Sequence, residues 1–166
     1  MVKTKIAVFI SGSGTNLQAL IDAQRDGILR NGRITLVISS NSIAYGLKRA
    51  REAGIDAVAV TRRECGSQEA FEAEILEKLE EYGIELIVLA GFLNILSEDF
   101  VKRYSDRIIN IHPSLIPSFC GKGYYGIRVH EAALDYGVKV TGATVHFVNE
   151  IPDGGRIIRQ KAVNVK

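Results

Sequence analysis

Short runs of β-branched and aliphatic residues alternate with amphipathic segments through most of this chain, and no other feature restricts its fold so strongly. Lys5–Ser11 (KIAVFIS), Ile34–Ser39 (ITLVIS), Ala57–Val60 and Leu86–Ala90 (LIVLA) read as strands. Between the first two, LQALIDAQ sets Leu17, Leu20 and Ile21 at helical spacing. Ala44–Ala53 gives a second helix that stops at Gly54, a C-cap residue. Ser67 caps a longer helix reaching Tyr82, with Phe71, Ile75 and Leu79 on one stripe and Gly83 at its end. Ser97 opens a further helical turn, with Glu98 and Asp99 where the helix dipole favours acids, and a strand follows that ends at Asn110. Ile127–Tyr136 is helical and stops at Gly137; Val140–Val148 and Ile157–Val165 are late strands. This β-α-β-α order predicts an α/β fold of Rossmann-like type, an open, mostly parallel sheet with helices on both faces. The near-continuous run LIVLA suits a central parallel strand, covered on both sides.

The bounds on function come from size and charge. At 166 residues, 46% of them hydrophobic, the chain is expected to form a single domain, 1–166, that buries about two thirds of its unfolded surface. Its 21 basic and 19 acidic residues give a net charge of +2 and form no like-charge block. No nucleic-acid arm and no membrane patch are therefore expected. MVKTKIAVFISGSG carries a basic flank and an apolar run, but the run breaks at Gly and Ser, so it reads as a first strand and not as a targeting segment. Cys65 and Cys120 lack metal or disulfide spacing, as expected of reduced thiols in a cytoplasmic protein. Val165 and Lys166 close a strand-like run that no helix follows. Either the chain is a piece of a longer protein, or the partner protomer of a homodimer supplies the cover.

Two stretches carry chemistry. GSGTNL, Gly12–Leu17, lies between the first strand and the first helix, where free N–H groups and the helix dipole attract an anion. The third glycine of the dinucleotide fingerprint is missing, and Ser40-Asn41 lacks the acid that would hold a ribose. A phosphomonoester therefore fits better than a dinucleotide, and the competing reading is a tight turn that binds nothing. In IINIHPSLIP, Asn110 and His112 are two apart in extended backbone and point to the same side. His112 is either a satisfied loop residue or a catalytic group, Asn110 can tie down a turn, and Asp153 in IPDGG sits in turn-forming context. His130 on a helix and His146 within a strand read as structural or exposed, and no spacing suits a metal. Ser13 and Ser114 lack the GxSxG elbow of a serine hydrolase. Ile116-Pro117, before a glycine-rich loop, is a candidate cis peptide.

Taken in order, GSGTNLQAL, LAGFLNIL, INIHPSLIP and TVHFVNEIPDGG resemble the folate-dependent phosphoribosylglycinamide formyltransferases of purine synthesis. The resemblance implies that Gly14, Thr15 and Asn16 hold the phosphate of glycinamide ribonucleotide. Leu93, Asn94, Ile95 and Leu96, with Asn110, Val148, Asn149, Glu150 and Ile151, would form the folate side. Asn110, His112 and Asp153 match the catalytic trio; 10-formyltetrahydrofolate is the implied co-substrate, and no metal is called for. Asn110 and protonated His112 would then stabilise the tetrahedral oxyanion, with Asp153 beside His112 favouring its charged form. Where this family tends to carry arginine, the chain has Gln68 and Asn94, which removes two forked cations. Arg62, Arg63 or Lys122 are the candidates to replace them at the phosphate. Members of the family usually continue beyond Val165 into another helix, so the chain reads as C-terminally short. The rival expectations are a formyltetrahydrofolate hydrolase, a methionyl-tRNA formyltransferase, for which a basic extension is missing, and a truncated binder of folate or a phosphate ligand.

Overall fold

A computed structural model describes residues 2–166 and divides the chain into two compact units, residues 1–96 and 97–166. The first contains β1 (Thr4–Ile10), α1 (Thr15–Arg25), β2 (Gly32–Ser39), α2 (Tyr45–Glu52), β3 (Asp56–Ala59), α3 (Arg62–Cys65), α4 (Gln68–Glu81) and β4 (Leu86–Leu89). Its strands run parallel in the order β3-β2-β1-β4. β1 is paired on both edges, which is why a run as apolar as IAVFI suits it: Ala7, Val8, Phe9 and Ile10 are completely buried. Ile6, Val8 and Ile10, two apart, share one face and pack with Leu17 and Ile21 of α1 and Ala50 of α2. Each such Leu or Ile contributes about 1.5–3 kcal/mol by leaving water.

The second unit holds α5 (Glu98–Arg103), β5 (Ile108–His112), α6 (Ile127–Tyr136), β6 (Val140–Phe147) and β7 (Ile157–Asn164). β6 runs antiparallel to both β5 and β7. The parallel α/β pattern expected from the alternation is thus the pattern of the first unit, and the late strands form a meander-like antiparallel set. Two local differences stand out. β5 continues two residues past Asn110, so His112 closes the strand and does not follow it. A one-turn helix, α3, interrupts what reads as loop; Thr61 caps it by accepting the Glu64 N–H at 3.2 Å. The longer helices obey their signals: Ser67 caps α4 through the Ala70 N–H, Ser97 caps α5 through the Phe100 N–H, and Gly137 ends α6 in left-handed conformation. The Ile116–Pro117 peptide is cis.

Candidate active site

The pairing of β5 with β6 assembles the polar cluster. In this antiparallel register Asn110 faces His146 and His112 faces Thr144, so residues far apart in sequence share one side of the strand pair. Asn110 Nδ2 lies 3.1 Å from His146 Nε2. His112, only 3% exposed, places Nε2 2.8 Å from the Phe119 carbonyl. A carbonyl accepts only, so this nitrogen carries a proton. The opposite nitrogen, Nδ1, lies 3.5 Å from Asp153 Oδ1. A carboxylate thus faces the side of the ring opposite the Phe119 carbonyl, and the two contacts fix the ring's orientation. The same Oδ1 is 3.7 Å from His146 Nε2, and Asp153 Oδ2 accepts the Gly121 N–H at 2.8 Å. His146 is anchored at its other end, with Nδ1 2.8 Å from the Phe147 carbonyl.

Asp153 reaches this cluster through a tightly folded loop after β6. Asn149 Oδ1 accepts the Ile151 N–H at 3.0 Å, and the Gly154 N–H returns to the Ile151 carbonyl at 2.9 Å. Asp153 itself adopts φ 55°, a left-handed conformation that Asp tolerates better than most residues. The second glycine of DGG has a packing reason: a Cβ on Gly155 would stand 1.6 Å from the Phe147 carbonyl oxygen. Burial pushes the Asp153 carboxyl up, but the His146 imidazole, the Gly121 N–H and the His112 charge outweigh it and hold the group below its ordinary 3.8.

Neighbouring groups exclude other chemistries. Ser114 is completely buried and its hydroxyl donates to the Ser118 carbonyl at 2.5 Å, not to a histidine. Burial and the Asp153 carboxylate push the Cys120 thiol up, and its Sγ donates to the Pro117 carbonyl at 3.3 Å. His130 is exposed on α6. His146, expected to be structural or exposed, is 2% exposed and touches both Asn110 and Asp153. Only the register of β5 against β6 brings it there, and a single sequence does not display register.

In the first unit, Gly14, Thr15 and Asn16 form the start of α1. Gly14 is the N-cap at φ 73° and supplies no side-chain cap, so the leading N–H groups of this helix are not closed off as they are in α4 and α5. Leu93 to Leu96 lie in the loop after β4, where Leu93 and Ile95 are exposed and Leu96 is buried. The Leu93 N–H donates to Ser11 Oγ at 2.9 Å, and Ser11 Oγ is 2.6 Å from Ser40 Oγ. Gln68 ties the same loop to α4: its Nε2 donates to the Ile95 carbonyl at 3.2 Å and to Glu72 at 2.7 Å. Arg62, Arg63 and Lys122 are all exposed.

The profile of the formyl transferase family matches residues 4–166. The chain belongs to the formyl transferase family. Among its relatives, the phosphoribosylglycinamide formyltransferase of Escherichia coli (strain K12) is 42% identical over 160 residues, 96% of this chain and 73% of that protein. The trifunctional purine biosynthetic protein adenosine-3 of Gallus gallus is 46% identical over 164 residues. This formyl transferase chain spans only 16% of that relative's length. Its fold is similar to that of glycinamide ribonucleotide transformylase 1 from Symbiobacterium toebii, with a TM-score of 0.90 at 45% identity over 99% of this chain and 74% of the other. Among the described residues of this formyl transferase, no helix is long and apolar enough to cross a membrane, and no group of three or more His, Cys, Asp or Glu is arranged to hold a metal ion.

Proposed function

We propose that this formyl transferase moves the formyl group of 10-formyltetrahydrofolate to the amine of glycinamide ribonucleotide, a step of purine synthesis. The observation that carries the reading is the buried His112, its Nε2 protonated against the Phe119 carbonyl and its Nδ1 facing Asp153, on the same side of the β5–β6 pair as Asn110. The substrate amine attacks the formyl carbon and the carbonyl electron pair moves onto oxygen. Asn110 Nδ2–H and His112 Nε2–H are the donors for that oxygen. The Nε2–H, which donates to the Phe119 carbonyl, turns its hydrogen bond to the formyl oxygen as charge develops there. A preorganised donor stabilises an oxyanion far more than water does. The intermediate collapses by breaking the bond from the formyl carbon to the folate nitrogen; the incoming amine gives up a proton and the leaving nitrogen takes one. Asp153, held below its ordinary 3.8, faces Nδ1 and orients the ring.

Substrate holding follows the same division. Gly14, Thr15 and Asn16 present helix N–H groups to the ribonucleotide phosphate. Folate binding is assigned in the first unit to Leu93, Asn94, Ile95 and Leu96, and in the second to Asn110, Val148, Asn149, Glu150 and Ile151. The apolar side chains of Leu93, Ile95 and Ile151, each more than half exposed, suit a ring system better than water.

Formyl transfer from 10-formyltetrahydrofolate to glycinamide ribonucleotide tests the reading directly. Asn110→Ala and His112→Ala should each fold and lose about 10²–10³ in kcat, as for loss of an oxyanion donor. Wild-type turnover in either variant removes that residue from the mechanism. Release of formate without the ribonucleotide would put hydrolysis in place of transfer.

A further inference from the structure

The glycine loop ahead of α1 is not free to choose its shape, and the restraint comes from α2. Arg49, one helix away in sequence, donates from Nε to the Ser13 carbonyl at 2.8 Å and from Nη1 to Gln18 Oε1 at 3.3 Å. Its guanidinium also lies 4.9 Å from the centre of the Tyr45 ring. Three contacts thus fix one side chain, and the shortest of them ends on the loop backbone. Beside it the two chain segments nearly touch. The Gly46 N–H donates to the Gly12 carbonyl at 3.1 Å, and a Cβ on Gly14 would stand 2.7 Å from Gly46 Cα.

The direction of the Ser13 bond has a consequence one atom further on. In a planar trans peptide the carbonyl of one residue and the N–H of the next point in opposite directions. With the Ser13 carbonyl held toward α2 by Arg49, the Gly14 N–H points away from α2. Gly14 at φ 73° then turns the chain into α1, whose first N–H groups follow.

We propose that Arg49 is a positioning residue for phosphate binding: by holding the Ser13 carbonyl it aims the Gly14 N–H at the substrate's phosphate, without touching the substrate itself. The proposal rests on the assignment of Gly14, Thr15 and Asn16 to the phosphate. It adds that α2, and not the loop's glycines alone, sets the geometry of the site. A loop released from Arg49 keeps its glycines but loses the orientation of the first donor.

Calorimetric titration of wild type, Arg49→Gln and Arg49→Lys separates the possibilities, with glycinamide ribonucleotide and the dephosphorylated glycinamide riboside as ligands; thermal melts confirm that each variant is folded. The expected result is a wild type that binds the ribonucleotide more tightly than the riboside. In Arg49→Gln the ribonucleotide Kd rises about tenfold, as for loss of one charge-assisted hydrogen bond, and the riboside Kd stays as it was. Arg49→Lys should not restore affinity, because a single ammonium cannot span both Ser13 and Gln18. An unchanged ribonucleotide Kd in Arg49→Gln, or equal losses for both ligands, overturns the proposal. Full rescue by Arg49→Lys also overturns it, in favour of direct contact between charge and phosphate. Equal affinity of the wild type for the two ligands refutes the phosphate loop itself, and is recognised without any variant.

Discussion

At the scale of single residues, Asp153 links function to folding. Its folded ionisation lies below the ordinary 3.8, so the carboxylate contributes stability at every pH above that value and loses the contribution as pH falls through the lowered one. Asp153→Asn removes that term while keeping an oxygen that can accept the Gly121 N–H. The expected outcome is a gap in melting temperature between wild type and Asp153→Asn that is constant at neutral pH and closes below pH 3.8. A gap of the same size at pH 7 and pH 2 would falsify the linkage. The same residues show what sequence displays and what it conceals. Asn110 and His112 stand two apart on one strand, so their common side follows from the pleat alone. Asp153 arrives through a loop whose fold depends on Gly155 meeting the Phe147 carbonyl, and only resemblance pointed to it. In sequence alone His146 reads as structural or exposed and not as part of the cluster, because its neighbours Asn110 and Asp153 are set by strand register and loop closure.

At the scale of elements, helix signals were legible where a cap stood beside a helix of more than one turn. Ser67, Ser97 and Gly137 mark boundaries that the structure reproduces to within one residue. The short α3 escaped because four residues hold too little periodicity to read. Strand existence was equally plain, since runs such as IAVFI have few other uses. The antiparallel sense of β6 and β7 was not, because apolar content says nothing of direction. A glycine inside β6 makes that pairing testable. A Cβ on Gly142 would lie 2.1 Å from the Lys161 carbonyl oxygen of β7 and 2.8 Å from Leu115. Gly142→Ala therefore forces the strands apart and should destabilise the protein by about 1–3 kcal/mol, the range for overpacking. Urea unfolding measures it, and an unchanged midpoint would contradict the close approach. β7 also contributes Gln160, whose Nε2 donates to the Ile116 carbonyl and to Thr144 Oγ1, each at 3.0 Å. Thr144 in turn donates to the Ser114 carbonyl at 2.7 Å. The segment that follows His112 is thus braced by the strand that Gly142→Ala displaces, and formyl transfer should fall with stability in this variant.

At the scale of the whole molecule, the proposed phosphate binding and the proposed chemistry fall in different parts of the chain. The proposed phosphate loop belongs to residues 1–96, and Asn110, His112 and Asp153 all belong to residues 97–166. A ligand that binds only the folded state stabilises it by mass action, about 2.7 kcal/mol at a hundredfold excess over Kd. For a chain of this length that corresponds to a rise in melting temperature of roughly 5 to 10 °C. Glycinamide ribonucleotide should produce such a shift in the wild type and the same shift in His112→Ala, because in the proposed mechanism the imidazole acts on the formyl oxygen and not on the phosphate. Formyl transfer should survive only in the wild type. Loss of the shift together with activity in His112→Ala would mean that the histidine holds the ribonucleotide, and the oxyanion role would pass to Asn110 alone. A shift in both proteins with transfer in neither would make the chain a binder, its polar cluster serving recognition and not catalysis.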